Sequence, residues 1–155
     1  MDNINVIRVG FIAPEVNLSD TAGYIGDPVD RSGEKLTCMI FANPDEIGGG
    51  LIKDLEKSLP LTVGGYDWSI SAVVPVKIKI AQEFKNRYRF KTRLFCDSDL
   101  RAGSLYSIVD LSSARPSYHT AVFIVGDEGS VRYRQVAGKS GFDMQAFQSS
   151  VSKLI

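Results

Sequence analysis

The sequence predicts one α/β domain whose sheet is at least partly parallel. Strand and helix patterns alternate from residue 36 to residue 108, and a hairpin pattern followed by a helix completes the chain. No repeat, low-complexity tract or linker interrupts this order. A chain of 155 residues with 44% hydrophobic and 23% charged residues can also bury a sizeable core. We therefore assign residues 1–155 to a single domain.

The first parallel unit is predicted from two patterns that flank a glycine-rich turn. Residues 36–42 are almost continuously apolar, which is typical of a strand covered on both faces of a sheet. After the turn, one helical face carries Leu51, Ile52, Leu55 and Leu59. We expect this helix to begin near Leu51 and to end at Pro60.

Two further units continue the alternation. Residues 68–74 predict a second strand that Pro75 ends, and Ile80, Ala81, Phe84 and Tyr88 share one face of a second helix. Residues 93–96 predict a third strand. Residues 97–99 offer N-caps for a third helix that runs through Leu105 and Ile108. Such alternation favours right-handed crossovers between parallel strands.

The two ends of the chain predict smaller elements. Residues 120–125 and 131–136 flank a glycine-containing loop, as in an antiparallel hairpin. The last helix is predicted to begin near Ser140 or Asp143 and to bury Phe147, Val151 and Leu154. Residues 9–18 and 22–24 suggest a short N-terminal hairpin.

Composition argues against several functional classes. Eighteen basic and eighteen acidic residues balance, so no average field attracts nucleic acid or an anionic membrane. No apolar segment is long enough to span a bilayer, and the first residues lack the features of a secretory signal. We expect a cytoplasmic protein. With one histidine, His119, and two cysteines that lack zinc-site spacing, we expect neither a metal nor another cofactor.

Four segments resemble the peroxiredoxins of the alkyl hydroperoxide reductase and thiol-specific antioxidant group, which belong to the redoxin class. These are VGFIAPEVNLSD at residues 9–20, VDRSGEK at 29–35, LFCD at 94–97 and FIVGDEG at 123–129. The resemblance implies a thioredoxin-like, three-layer domain with a central mixed sheet and an N-terminal hairpin extension.

The same resemblance identifies a degenerate catalytic position. In that family the turn after the central strand carries a proline, then a threonine, and then the peroxidatic cysteine at the start of the next helix. Here Pro44 matches the proline, while Gly48 falls on the threonine and Leu51 on the cysteine. The glycines allow a shift of one or two residues, and no allowed register places a sulfur there. The family's partner arginine falls on Thr120. Because peroxide reduction requires a thiolate, we do not expect the family reaction at this position.

Two cysteines remain as candidates for thiol chemistry. Cys38 lies within the apolar strand, where cysteine usually acts as a small buried hydrophobic residue. Cys96 ends the third strand, and we expect the neighbouring Asp97 to raise the pKa of its thiol. By the family topology, Cys96 lies on an edge strand with one strand between it and Cys38. The implied separation of roughly 10 Å exceeds the distance that a disulfide spans, so we predict two free thiols.

The run Gly48, Gly49 and Gly50 has two interpretations. Flexible backbone ahead of a helix can direct unpaired N–H groups at an anion, which would make the vacated pocket a site for a small anionic or carbonyl ligand. Glycine also simply permits a tight turn.

The leading hypothesis is a peroxiredoxin-like domain that has lost direct peroxidase chemistry and acts as a binding or interaction module. The alternative is a divergent thiol-dependent antioxidant oxidoreductase or peroxidase that uses Cys96. In a third hypothesis another chain supplies the missing cysteine. The partners that follow from these hypotheses are a second copy of the chain and a thiol-redox protein.

Overall fold

The computed structural model describes residues 7–62 and 67–154, without the side chains of residues 60–62. Within these residues, the chain forms seven strands and four helices. In chain order they are β1 (Leu18–Asp20), β2 (Ile25–Gly26), β3 (Leu36–Phe41), α1 (Glu46–Thr62), β4 (Trp68–Val74), α2 (Ile78–Tyr88), β5 (Arg93–Cys96), α3 (Arg101–Leu105), β6 (Ala121–Val125), β7 (Val131–Val136) and α4 (Met144–Ser152).

The strands form one mixed sheet in the order β2-β1-β5-β4-β3-β6-β7. Strands β3, β4 and β5 are parallel, and every other neighbouring pair is antiparallel. The predicted α/β class with a central mixed sheet and an N-terminal hairpin is therefore confirmed. Because β3, β4 and β5 run in the same direction, their carboxyl ends meet at one edge of the sheet.

Successive residues of β3 divide the core into two layers. Cys38 and Ile40 pack in a cluster with α1, α2 and α4 on one face of the sheet. Met39 and Phe41 face the other layer, which contains α3 and buried residues of the N-terminal segment. All six residues of β3 are buried. This explains why the sequence of β3 is apolar at every position but Thr37 instead of alternating.

Helix α1 differs from its prediction at both ends. It begins at Glu46 and extends to Thr62, two residues beyond Pro60. The early start has a local cause, since the Asp45 carboxylate accepts a hydrogen bond from the Gly48 N–H at 2.8 Å and caps the first turn. At the other end, a proline in the last turn costs the helix one backbone bond but does not stop it at once.

Helix α3 is shorter than predicted, because it ends at Leu105 and does not reach Ile108. Two residues with left-handed backbone bound it, Leu100 at φ 62° and Ser107 at φ 60°. A residue in this conformation interrupts the right-handed turn, and one lies on each side of the five-residue helix.

Other predictions are corrected at the sheet edges. Residues 9–16 form no strand; the Gly10 N–H instead donates to the Val131 carbonyl at 2.8 Å and holds this segment beside β7. Strand β5 is not an edge strand, because β1 pairs with it opposite β4. In α2, Ala81 and Phe84 are buried as predicted, whereas Ile80 is 48% exposed. Strands β4, β5 and β7, and the start of α4 after its N-cap Asp143, lie where the sequence predicts them.

Candidate functional site

An open cleft of about 660 Å³ lies at the carboxyl edge of β3, β4 and β5. Four segments line it: the β3–α1 turn, the β4–α2 turn with the start of α2, the residue after Asp97, and the loop before β6. The lining residues are Asn43, Pro44, Asp45, Pro75, Val76, Lys77, Ile80, Ser98, Ser113, Arg115, Pro116 and Ser117. Open α/β sheets commonly bind ligands at this edge, so the cleft is the candidate functional site.

The residues that the resemblance assigns to the family's catalytic site separate into two groups. Pro44 lines the cleft. Leu51 instead lies inside α1, is only 7% exposed, and packs in the helical layer of the core. An alkyl side chain in such surroundings offers neither a nucleophile nor a proton-transfer group. Thr120, half-buried just before β6, carries no cation to the site.

The three glycines lie within the first five residues of α1 and not ahead of it. A Cβ atom on Gly48 would overlap the carbonyl oxygen of Asn43, and one on Gly49 would lie 2.6 Å from the Tyr88 ring. A Cβ atom on Gly50 would meet nothing within 4 Å. Close packing therefore explains the absence of side chains at Gly48 and Gly49, whereas Gly50 has no comparable constraint.

The N–H groups of Gly48 and Gly49 already donate hydrogen bonds within the chain and are not free to bind an anion. The Gly48 N–H donates to Asp45 Oδ1, and the Gly49 N–H donates to the Asp45 backbone oxygen, each at 2.8 Å. Asp45 therefore occupies the place at the helix N-terminus where an external anion would accept these two hydrogen bonds. None of the three glycines is among the cleft-lining residues.

Both cysteines have a thiol pKa that is raised above its ordinary value. Cys38 is fully buried, and burial strongly raises the pKa of its thiol. Cys96 is half-buried, and the pKa of its thiol is raised first by burial and then by the charge of Asp20. The predicted direction for Cys96 therefore holds, but the cause is not Asp97. A raised pKa lowers the thiolate fraction at neutral pH.

The two sulfur-bearing residues also lie far apart. Strand β4 separates β3 from β5, and its Ile70 pairs with Cys38 while its Val74 pairs with Cys96. Two strand spacings give about 10 Å across the sheet, and the four-residue offset adds about 13 Å along it. The separation between Cys38 and Cys96 that was predicted from the sequence was thus too small. Both residues are free cysteines. Neither of them lines the cleft.

A hydrogen-bonded network beneath the cleft was not foreseen from the sequence. The Asn43 side chain donates to the Tyr118 carbonyl at 2.9 Å and accepts from the Tyr118 N–H at 2.8 Å. The Tyr118 hydroxyl donates to Asp97 at 2.5 Å, and the buried Asp97 carboxylate also accepts from the N–H groups of Ala102 and Gly103. This network joins the β3–α1 turn to α3, although Asn43 and Tyr118 are 75 residues apart.

Burial, reinforced by the Asp97 carboxylate, raises the pKa of Tyr118 far above its ordinary value. The phenol is therefore a neutral hydrogen-bond donor at physiological pH. Asp97 was predicted as a helix cap, and its carboxylate does cap α3. It lies five residues before Ala102, whose N–H donates to it. This buried cap fixes the position of the loops that form one wall of the cleft.

The charged residues of the cleft come from three separate segments. Lys77 and Arg115 are exposed cations, and Asp45 is an exposed carboxylate with one oxygen already bonded to Gly48. Among the described residues, no carboxylate lies within ion-pair distance of Lys77 or Arg115. The lining thus combines a net positive charge with apolar surface from Val76 and Ile80.

Residues 7–62 and 67–154 lack two further features. No group of histidine, cysteine or acidic side chains in these ranges could hold a metal ion. No helix in them combines the length and apolar character needed to cross a membrane.

No family model and no curated protein sequence matches this chain. Solved structures do match. A peroxiredoxin-like protein from Aquifex aeolicus superposes with a TM-score of 0.80 at 17% identity, covering 97% of this chain and 89% of its own. A peroxiredoxin 6 mutant from Arenicola marina gives 0.78 at 15% identity, covering 96% and 73%. A peroxiredoxin Q mutant from Xylella fastidiosa gives 0.76 at 14% identity, covering 96% and 97%. Together with the strand order and the two core layers, these similarities show that the chain has the thioredoxin-like fold in its peroxiredoxin-like form.

Proposed function

We propose that this protein is a peroxiredoxin-fold binding module that does not carry out the peroxidase reaction, and that the cleft is its binding site. The observation that carries the proposal is the position of Leu51. The resemblance assigns the nucleophile to this residue, yet Leu51 is 7% exposed and packs in the core. The peroxidase reaction needs an accessible thiolate at this position.

The surroundings of Leu51 support the same conclusion. A helix N-terminus lowers the pKa of a cysteine when its N–H groups face the sulfur. Here Asp45 accepts hydrogen bonds from both Gly48 and Gly49, so these donors are already used and an acidic group lies beside them. Thr120 stands where the family places a cation. The chain therefore differs from a peroxidase in several groups that act together.

The alternative function, thiol chemistry at Cys96, rests on its partial exposure. Against it, burial and Asp20 raise the pKa of this thiol, so little thiolate forms at neutral pH. We also propose a cytoplasmic location. Two assemblies follow from the proposal and its alternatives, a homodimer and a complex with a thiol-redox protein that supplies the missing cysteine.

Hydrogen peroxide treatment with a sulfenic-acid trap tests the proposal. We expect the protein to consume peroxide no faster than its Cys96→Ser variant, and we expect the trap to label Cys96 only slowly. Since sulfenic acid forms from the thiolate, a raised pKa slows the reaction. Rapid labelling that disappears in Cys96→Ser would instead establish the enzymatic alternative.

A gain-of-function variant provides a sharper test. We expect Leu51→Cys to remain inactive in a peroxide-consumption assay, because position 48 cannot hold a hydroxyl-bearing side chain in this backbone and no cation replaces Thr120. Leu51→Ala is the matched control, since it also shortens the buried side chain but adds no sulfur. Peroxide turnover by Leu51→Cys above that control would show that the scaffold still supports the reaction.

A further inference from the structure

The charge of the cleft lining limits the class of ligand that the cleft can bind. Its two cations, Lys77 and Arg115, come from different loops and form no ion pair with the described residues. The remaining charge, Asp45, is partly satisfied by its hydrogen bond from Gly48. The lining is thus left with one net positive charge, and both cations have donors available to a ligand.

The rest of the lining is largely apolar. Ile80 is 48% exposed at the start of α2, and Val76 and three prolines contribute further apolar surface. An exposed isoleucine beside a cleft favours contact with the apolar body of a ligand. The serines at positions 98, 113 and 117 add neutral hydrogen-bonding groups, which do not change this balance of charge.

The size of the cleft favours a small molecule. Its volume of about 660 Å³ lies within the range of roughly 300–1,000 Å³ that is usual for small-molecule pockets. The network of Asn43, Tyr118 and Asp97 fixes the loops beneath it, so the cleft is formed before a ligand arrives.

Resting on the proposed binding function, we propose that the cleft binds a small organic monoanion that has an apolar body, such as an aliphatic carboxylate. The carboxylate contacts Lys77 and Arg115, and the apolar body lies against Val76 and Ile80. A single negative charge matches the net charge of the lining. This assigns both a site and a ligand class to the protein.

The test is a titration of the full chain with hexanoate in low-salt buffer, in which NMR monitors the backbone amide signals. Neutral 1-hexanol and cationic hexylammonium serve as ligands of matched apolar length. We expect hexanoate to shift the amide signals of Val76, Ile80 and Ser117 with the highest affinity of the three. Lys77→Met and Arg115→Met should each weaken hexanoate binding roughly tenfold. The exposed Lys79, also on α2 but outside the cleft lining, supplies the control variant Lys79→Met, which should bind as the wild type does.

The possible outcomes separate this inference from the proposed function. Equal or better binding of hexanol or hexylammonium would overturn the anion assignment and leave a binding cleft. An equal loss in Lys79→Met would also overturn it, because a general surface field would then explain the affinity. If none of the three shifts the cleft signals, the inference fails. Rapid sulfenic-acid labelling of Cys96 would show, separately, that the proposed function fails.

Discussion

Substitution of Tyr118 by phenylalanine tests whether the network beneath the cleft stabilises the fold. Tyr118 is 2% exposed, and its hydroxyl donates to Asp97, which is fully buried. Tyr118→Phe removes one of three donors to that carboxylate and keeps the ring, whose edge-on contact with Phe41 has centroids 5.4 Å apart. Hydrogen bonds to charged groups contribute about 1.5–3 kcal/mol. We therefore expect a loss of about 2 kcal/mol in the free energy of unfolding.

Equilibrium urea denaturation, followed by tryptophan fluorescence or circular dichroism, measures this loss. Tyr24→Phe is the matched control, because the Tyr24 side chain is 72% exposed and the same hydroxyl is removed at the surface. We expect the control to change the free energy of unfolding by less than about 0.5 kcal/mol. If Tyr118→Phe and Tyr24→Phe unfold at the same urea concentration, the buried network does not stabilise the protein as we reason.

The pH dependence of the same variant gives an independent check. Burial, followed by the charge of Asp97, raises the pKa of Tyr118 in the folded protein, whereas in the unfolded chain it titrates near pH 10. Above about pH 10 the unfolded state therefore holds fewer protons than the folded state, and stability falls as pH rises. One such group contributes a slope of up to about 1.4 kcal/mol per pH unit. Tyr118→Phe should lose that part of the slope.

The remaining predictions concern α1 and β3. Gly49→Ala should lower the free energy of unfolding by about 1–3 kcal/mol, because its Cβ would overlap the Tyr88 ring. Gly50→Ala should raise the free energy of unfolding by up to about 1 kcal/mol. Urea denaturation of both variants measures these changes, and equal effects would contradict the packing argument. Burial raises the pKa of Cys38, so the wild type should lose stability as the pH rises above about 8.5, the pKa of an unfolded cysteine. Cys38→Ala should have a shallower slope in the same assay, and parallel slopes would show that Cys38 titrates normally.

Much of the fold could be predicted because burial leaves a periodic trace in the sequence. Strand β4 occupies the predicted residues Trp68–Val74, and β5 the predicted residues Arg93–Cys96. The start of α1 was harder to predict, because three of its first five residues are glycines and a carboxylate cap at Asp45 specifies where it begins. Neither feature contributes to an apolar periodicity.

The candidate site was harder to predict from the sequence than the fold was. Of the residues that the sequence analysis assigned to the family's catalytic site and to the possible anion pocket, only Pro44 lines the cleft. Lys77 and Arg115 are 38 positions apart in the printed sequence, and an isolated cation in a loop resembles any solvated side chain. The parallel pairing of β3 and β4 brings the loop after β4 to this edge, and the antiparallel pairing of β6 with β3 brings the loop before β6 to the same edge. Long-range pairing of this kind leaves no local pattern.

Under the proposed function, more than one group around Gly48 would have to change before a peroxidase could operate here. A side chain at this position would overlap the Asn43 carbonyl, and the same asparagine is held by two hydrogen bonds to Tyr118. The turn therefore cannot move away from position 48 without disturbing the network that reaches Asp97. Restoring a sulfur at Leu51 alone would leave this close packing, the Asp45 cap and the missing cation unchanged. The hydrogen bonds that hold Asn43 also fix the loops beneath the cleft, as the proposed binding function requires.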